Sequence, residues 1–590
     1  MNNLLKYCIK KPAHQSSKTV TRDICTSLKI SFAPPALRYY SMKRSIKDKI
    51  NLNETETNIR NVLVKFCDYH NSLPDTDPSK KLELRITGGW VRDKLLGKES
   101  HDIDIAINFL SGEEFASLLY DYLVEHYPEL ELKGLHKIKK NPEKSKHLET
   151  CTTKLYGLDI DFVNLRNEQY TSESRVPIIE CGTAEEDALR RDATLNALFY
   201  NLNKNIIEDF TGKGLEDLHN GILRTPLQPL QTFLDDPLRV LRLIRFASKF
   251  DFTIEEETLN AMKSPELKST LIHKISRERV GVEIEKVLTS DNAQYGLNLI
   301  KFVDLTESIF NTGTIYESIQ QSNDATVISD LSEKSSRLSS RVETSTVLKP
   351  VFDSIIESNR FSHFSPLYSN LFQDDHLKKL FWLAVILQPF GSLEVKVNPK
   401  KQNFFQIVDI ISKEGLKYGK HDSDTISGII KESVTSYQVL SDFFDNGANI
   451  QRSKLGVYLR NFGQYSPLNL IFNCFNDIIK KVIVSPSPDQ QAPYPRPDLF
   501  PFSEADLNTI KSTIQEYDSL IKYIHDQALA EVDKLKPVLD GKTISKSLDK
   551  KPGPWMKSIT HEVLVWQLDH PTGSQDECLQ HIKQYLSTQL

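Results

Sequence analysis

Two aspartates one residue apart, Asp102 and Asp104, follow the pair Gly88-Gly89 after twelve intervening residues. On a strand, positions i and i+2 point the same way. Both carboxylates therefore leave one side, while Ile103 and Ile105 turn to the other and enter a core. Like charges held side by side repel unless a cation lies between them. Magnesium takes oxygen ligands and is commonly held by one or two carboxylates plus substrate phosphates. The glycines let the backbone approach phosphate and aim N–H groups at it. Val91-Arg92-Asp93 opens a helix whose N-terminus adds a positive field, with Arg92 in reach of a phosphate. These parts suit nucleotidyl transfer assisted by two magnesium ions, one activating an attacking 3′-hydroxyl and one holding the triphosphate and departing pyrophosphate. Asp161, alternating with Ile160 and Phe162, is the candidate third carboxylate. A lone D-x-D is usually a solvated turn and a lone Gly-Gly a loop. The order strand, Gly-Gly, helix, D-x-D strand carries the reading. His101-Asp102 alone does not make a metal phosphohydrolase, which needs further His and Asp ligands.

A second constellation runs from Asp235 to Ala247. Asp235 is expected to cap a helix, with Asp236 near its start and Pro237 in its first turn. Arg239, Arg242 and Arg245 recur every three residues and line one face. A solvated face would mix Lys and Glu, whereas three arginines favour a bound polyanion or planar acceptors. Cytosine and adenine each present an amino donor beside a ring-nitrogen acceptor. An Asp/Arg pair on a rigid helix matches both, while uracil and guanine reverse the order and leave both protein groups unpaired. A third stretch, Glu185 to Leu198, reads by itself as an amphipathic helix. In it Arg191 is placed to reach a triphosphate, and Asp192 with Asn196 to bind ribose hydroxyls.

The elements needed to position these groups are visible in the pattern. Ile59, Val62, Leu63 and Phe66 follow helical spacing. Leu82 to Ile86 alternates like a strand, and Ile103 to Ala106 is a second. Ser111 to Glu114 is a capping-box pattern opening a helix to about Tyr127. Tyr156 to Leu165 is a further strand, and the mixed sheet is expected to end near residue 200. Beyond residue 215 the chain turns helical, with strong helical periods at 234–250 and 276–288. Residues 311–347, rich in Ser and Thr, read as a loop or mobile insertion. The basic stretch 137–150 reads as a loop, and the Pro-rich stretch 485–501 as a linker. Leu380 to Leu387, the longest apolar block, reads as a buried helix, too short to span a bilayer. Asp374-Asp375-His376 just before it reads as a helix cap with a surface histidine rather than a metal cluster. Of the four tryptophans, Trp555 is expected in a loop and the others in cores.

The chain has 590 residues and a formal net charge of −5, so any positive surface for RNA must be local. Its 7 scattered cysteines contain no C-x-x-C, which argues against a cysteine zinc site or a disulfide framework and for a reducing compartment. Before Met42 the segment is basic and rich in Ser and Thr, with Asp23 as its acid. That is the profile of a mitochondrial presequence, and Met42 offers a second start.

The run Thr87 to Gly97 with Ser100 to Ala106 resembles the signature of class II tRNA nucleotidyltransferases, of the DNA polymerase β superfamily. Arg190 to Leu198, Gly214 to Thr225, Asp235 to Ala247 and Arg277 to Lys286 resemble the family's later motifs, in the family's order. The spacing and basic loop are similar to the fungal-type enzyme. The resemblance implies an α+β chain: a mixed-sheet nucleotidyltransferase head followed by an all-α neck, body and tail. The boundaries expected are 1–41 for targeting, 42–200 for the head and 201–290 for the neck with the nucleotide-selecting motif. The body with its insertion follows at 291–440 and a tRNA-binding tail at 441–590. It implies that Asp102 and Asp104 bind metal and that Gly88, Gly89, Arg92, Arg191, Arg242 and Arg245 contact nucleotide. Asp236 and Arg239 then read the base, and the 137–150 loop moves as specificity switches from C to A. Asp235 is counted with these nucleotide-binding residues, although many members carry Glu at its place and the shorter side chain suits capping better than direct base contact. The implied activity is addition of C-C-A to tRNA lacking it, using CTP and ATP, with no membrane partner and as a monomer. The implied locations are mitochondrion, cytoplasm and nucleus. The alternatives are a CC-only or A-only variant, a bacterial-type poly(A) polymerase, and a catalytically silent RNA-binding or chaperone protein.

Overall fold

A computed structural model describes residues 45–74, 77, 80–130, 133–137, 151–171, 174–447, 450–482 and 502–589. The expected presequence with Met42, residues 138–150 of the basic loop and the Pro-rich 485–501 stretch lie outside these.

The head begins with α1 (Glu54–Ser72), started by a reciprocal cap in which Asn53 and Glu56 each accept the other's backbone N–H. Its buried stripe of Ile59, Val62, Leu63 and Phe66 packs under a sheet. The sheet elements are β1 (Leu84–Thr87), β2 (Ile103–Ile107), β3 (Lys133–Lys137), β4 (Cys151–Leu155), β5 (Leu158–Asn164), β8 (Phe199–Asn201) and β9 (Ile206–Glu208). Their order is β3-β4-β5-β2-β1-β8-β9. The pair β2/β5 is parallel and the other pairs are antiparallel. Helix α2 (Gly89–Leu95) follows β1, and α3 (Gly112–His126) follows β2, its N-cap Ser111 accepting from Glu114 N–H. A separate hairpin, β6 (Arg166–Thr171) with β7 (Ser174–Cys181), leads into the short α4 (Ala184–Leu189).

Two head expectations change. The strand expected from Tyr156 starts at Leu158, because Tyr156 and Gly157 both have positive φ (49° and 86°) and form the tight turn closing β4 onto β5. The sheet also runs past residue 200, since β9 pairs with β8.

The rest of the chain is mostly helical, with two small ribbons, Ile222–Leu223 with Thr253–Ile254 and Glu394–Lys396 with Phe404–Gln406. The helices that matter for the site are α5 (Pro229–Asp235), α6 (Leu238–Phe250) and α7 (Arg277–Leu288). Beyond them, α8 (Ala325–Asn359) replaces the loop expected at 311–347, together with a short helix Tyr316–Ser322. The apolar period was weak because small hydroxyl residues serve as its packing face. Ser345 and Thr346 are fully buried, and Ser345 returns its hydroxyl to the Arg341 carbonyl four residues back. Helix α9 (Asp375–Leu387) holds the apolar block, buried as expected, with Asp374 as N-cap to Leu377 N–H. His376 reaches Asp422, whose other oxygen takes the Lys379 ammonium at 2.7 Å. A lysine thus already neutralises that acid, and the cluster clamps two helix starts together. Trp555 does not sit in a loop: it opens α10 (Trp555–Asp569), its indole donating to the Lys551 carbonyl. Trp90 and Trp382 are core residues. The described cysteines are all free, and no described helix is long and apolar enough to cross a membrane.

Helix α7 is locked to the elements that follow it. Buried Arg277 donates to the carbonyls of Ser308, Ile309 and Gly415. One turn on, Gly281 meets the Leu416 carbonyl so closely that a Cβ would stand 1.9 Å from its oxygen. Gly281→Ala therefore gains up to about 1 kcal/mol of helix propensity but must push two elements apart, a cost of about 1–3 kcal/mol. We expect a lower unfolding midpoint in denaturant for this variant; an unchanged or higher midpoint would show the contact to be soft.

Candidate active site

The floor of the site is the sheet face that turns away from α1 and α3. Along β2 the odd-numbered isoleucines enter the core while Asp104 and Ala106 face a cleft of about 620 Å³. The parallel register sets Asp104 directly beside Asp161 on β5, and Asp102 lines the same cleft. All three carboxylates are thus brought together. Burial, with Asp102 and Asp161 alongside, pushes the Asp104 carboxyl up to about 6. Thr152 donates its hydroxyl to Asp161 and orients it. Three oxygen donors around an uncompensated, partly desolvated negative charge fit a hard divalent cation such as magnesium.

At the end of β1 the chain turns at Gly88, whose φ of 73° needs glycine. A Cβ there would stand 3.1 Å from the Arg191 guanidinium, so the lost side chain also makes room for a cation. Thr87, just before it, buries a hydroxyl with no partner in the cleft wall. Arg92 lines the cleft but is tied down. It donates to Asp93 and to Asn196 Oδ1 and lies over the rings of Phe246 and Phe250. It therefore joins α2 to α6.

The stretch 185–198 is not one helix. Helix α4 stops at Leu189 and a single 3-10 turn, Thr194–Asn196, follows. The break arises because buried Asp187 accepts both Arg190 and Arg191, folding the chain back over the helix end. Arg191 also donates to the Asn196 carbonyl at 3.2 Å. Asn196 donates to Asp192 Oδ1 at 2.9 Å, and Arg242 Nε donates to Asp192 Oδ2 at 2.7 Å. Burial alone would raise the Asp192 carboxyl, but Arg242 and Asn196 outweigh it and hold it at about 2.

The facing wall is α6. The pattern expected over 234–250 breaks at Asp236-Pro237, where α5 ends and α6 begins. Asp235 is the last residue of α5, bonds Gln231 and does not line the cleft, so it neither caps α6 nor faces the nucleotide site. The N-cap position is Pro237, which has no capping side chain, and Asp236 just before it accepts Leu238 N–H at 3.2 Å. Its other oxygen binds Arg279 of α7 at 3.1 Å. Arg239, Arg242 and Arg245 do share the cleft face. Arg239 is only 8% exposed and donates to the Arg190 carbonyl at 2.7 Å. Arg245 pairs with Glu283 of α7 at 2.7 Å. The face is a restrained guanidinium array, not a solvated one.

Sequence reasoning missed the groups that do this restraining: Asp187, Glu168, Arg190, Arg279 and Glu283, along with Thr87 and Arg166 in the cleft wall. Arg279 and Glu283 lie within the fifth motif and four residues apart, a helical-face signal that pointed to α6 once the partner was known.

Residues 84–224 match the family model described as "Poly A polymerase head domain", and 251–312 that described as "Probable RNA and SrmB- binding site of polymerase A". The mitochondrial CCA tRNA nucleotidyltransferase of Saccharomyces cerevisiae is 43% identical over 547 residues, covering 91% of this chain and 94% of that protein. Its Candida glabrata counterpart is 42% identical over 554 residues, covering 92% and 97%. Among solved structures, an apo CCA-adding enzyme shares the fold at a TM-score of 0.55 and 21% identity, covering 90% of this chain and 96% of that one. The Thermotoga maritima CCA-adding enzyme complexed with tRNA does so at 0.51 and 20%, covering 91% and 96%. With relatives this similar along nearly their whole length, and a carboxylate floor facing an arginine helix, the chain belongs to the CCA tRNA nucleotidyltransferase family.

Proposed function

We propose that this chain adds C, C and A to the 3′ end of tRNA lacking them, drawing on CTP and ATP. The tRNA 3′-hydroxyl attacks the nucleotide α-phosphate and pyrophosphate leaves. The observation that carries the reading is one cleft with Asp102, Asp104 and Asp161 on its floor and Asp236 with Arg239 on the facing wall. Asp236 is placed to accept the exocyclic amino group shared by cytosine and adenine, and Arg239 to donate to the adjoining ring nitrogen. Arg279 restrains the first and the Arg190 carbonyl the second, which sets both against the reversed pattern of uracil and guanine. Selection of C and A thus needs no nucleic acid template. Gly88 and Gly89 offer backbone to the triphosphate, Arg191, Arg242 and Arg245 neutralise it, and Asp192 with Asn196 face the ribose.

Asp102, Asp104 and Asp161 would hold two magnesium ions, which supply Lewis-acid activation of the hydroxyl and charge neutralisation at the leaving pyrophosphate. The carboxylates' own part is to fix the geometry: two leave one strand and the third comes from its parallel neighbour.

The domain limits given above are part of the proposal, with the tail gripping tRNA. So is residence in mitochondria, in line with the names of the two yeast relatives, and in cytoplasm and nucleus from a start at Met42. Imaging a Met1-null and a Met42-null form should give, respectively, loss of the mitochondrial and of the extramitochondrial pool.

Incubation with tRNA lacking CCA plus CTP and ATP should add three nucleotides and stop. An unbounded A tail would make the chain a poly(A) polymerase, C or A alone a partial enzyme, and no incorporation an RNA-binding protein. Asp102→Ala or Asp104→Ala should lower kcat by more than about 100-fold, beyond what losing a metal's outer partner costs. tRNA affinity should stay nearly intact, because phosphate contacts carry it. Arg239→Ala should cut discrimination against UTP by roughly 10- to 100-fold; unchanged selectivity would remove Arg239 from base reading.

Asp104 also makes a pH prediction. Its folded value of about 6 lies above the unfolded value near 4. Ionising it therefore costs the folded state stability that is present below about pH 4 and lost as pH rises through 6, up to ~3 kcal/mol. Without divalent ions, Asp104→Asn should unfold at a higher denaturant midpoint than wild type at pH 8 and at the same midpoint at pH 4. Saturating magnesium should erase the advantage at pH 8.

A further inference from the structure

Eight arginines line the cleft. Seven are held by an acid, an amide or a carbonyl. The eighth, Arg166, has no ion pair or side-chain hydrogen bond among the described residues, although its backbone is firmly placed. Its N–H donates to Asp187 at 3.2 Å. The residue before it is bonded on both sides, to Ile107 and to Gly182. Gly182 crosses so close that a Cβ would stand 2.7 Å from the Arg166 carbonyl carbon. Burial and the nearby Arg190 lower the guanidinium to about 10, which leaves it charged at neutral pH. Asp187 and Glu168 lie near enough to favour its charge, but neither bonds its side chain, so its N–H groups are left for an anion that arrives with a substrate.

Its position says which substrate. Ile86 pairs with Ile105 and Ile103 with Ile160, so the glycine turn lies level with the start of β5. From Asp161, the chain runs through Val163 to Arg166, away from that turn and still along the cleft. The triphosphate is served by the glycine turn and α6. The far side of the carboxylates is where the second reactant must enter, and its nearest anion is a backbone phosphate.

We propose that Arg166 binds the phosphate linking the last two nucleosides of the acceptor RNA and so holds the 3′-hydroxyl over the carboxylates. This rests on the RNA-extending reading above. A free guanidinium suits the role because it takes a phosphate through two parallel N–H bonds, which Lys does not reproduce.

The test compares wild type with Arg166→Ala, Arg166→Gln and Arg166→Lys, using tRNA ending in CC and ATP. Arg166→Ala should lower kcat/KM for tRNA about 10- to 100-fold with KM for ATP within about twofold. The slope of log affinity for tRNA against log salt should shrink by about 0.7, one single-stranded phosphate contact. Arg166→Lys should restore the slope but only part of the rate, and Arg166→Gln serves if the alanine variant does not fold. A loss confined to KM for ATP, or an unaltered salt slope in both Ala and Gln variants, would overturn the assignment. Wild type that extends no RNA would overturn the parent reading, while the salt slope, which needs no turnover, still judges Arg166.

Discussion

The site is organised by the repulsion among three carboxylates on one sheet face. Asp102 and Asp104 share a side because strands alternate, and the parallel pairing of β2 with β5 delivers Asp161 to the same spot. None of these acids has an arginine clamped onto it, although arginines crowd the cleft. That unbalanced charge, visible in the raised Asp104 carboxyl, is what suits the floor to the proposed cations. The hydrophobic core supports it: Ile103, Ile105 and Ile107 on the opposite face are buried against α1 and α3, so the strand cannot slip by one residue without exposing them.

The arginines obey the complementary rule. Most of them are paired with an acid: Arg191 with Asp187, Arg242 with Asp192, Arg245 with Glu283, and Arg279 with Asp236. Partnering shields their mutual repulsion and fixes their direction, as the proposed discrimination between bases requires. Asp187, buried and doubly paired, also terminates α4, so the same contact that orders two guanidinium groups shapes the loop that carries Asp192. The wall is bonded to the head through Arg239 and Arg92 and to the next helix through Asp236, so wall and floor share one frame.

Local signals were reliable where a residue's role depends on its near neighbours. The D-x-D strand, the apolar stripe of α1, the capped starts of α3 and α9, and the arginine face of α6 could all be read from spacing. They failed where a distant contact decided the outcome. Residues 185–198 carried a helical pattern, but two arginines on Asp187 ended the helix early. Asp235 had the right chemistry for a cap, but it ends α5, the next helix starts at Leu238, and Asp236 is the acid that meets its first N–H. The Ser/Thr-rich stretch became a 35-residue helix because its hydroxyls satisfy themselves on the helix backbone and its small side chains allow close packing.

Sequence by itself determined the chemistry available: acids at alternating positions, a glycine pair before a helix, and guanidinium groups three residues apart. These follow from the fixed periods of strand and helix, 2 and 3.6, which need no knowledge of the partner. The tertiary structure decided which acids meet and which arginines are left free. Asp161 joins Asp104 across about fifty-seven residues of chain only through strand register, and Arg166 has no ion pair among the described residues because the acids Asp187 and Glu168 beside it are taken by Arg190 and Arg191. Long-range electrostatic pairing depends on where other elements come to rest, and no local period encodes that.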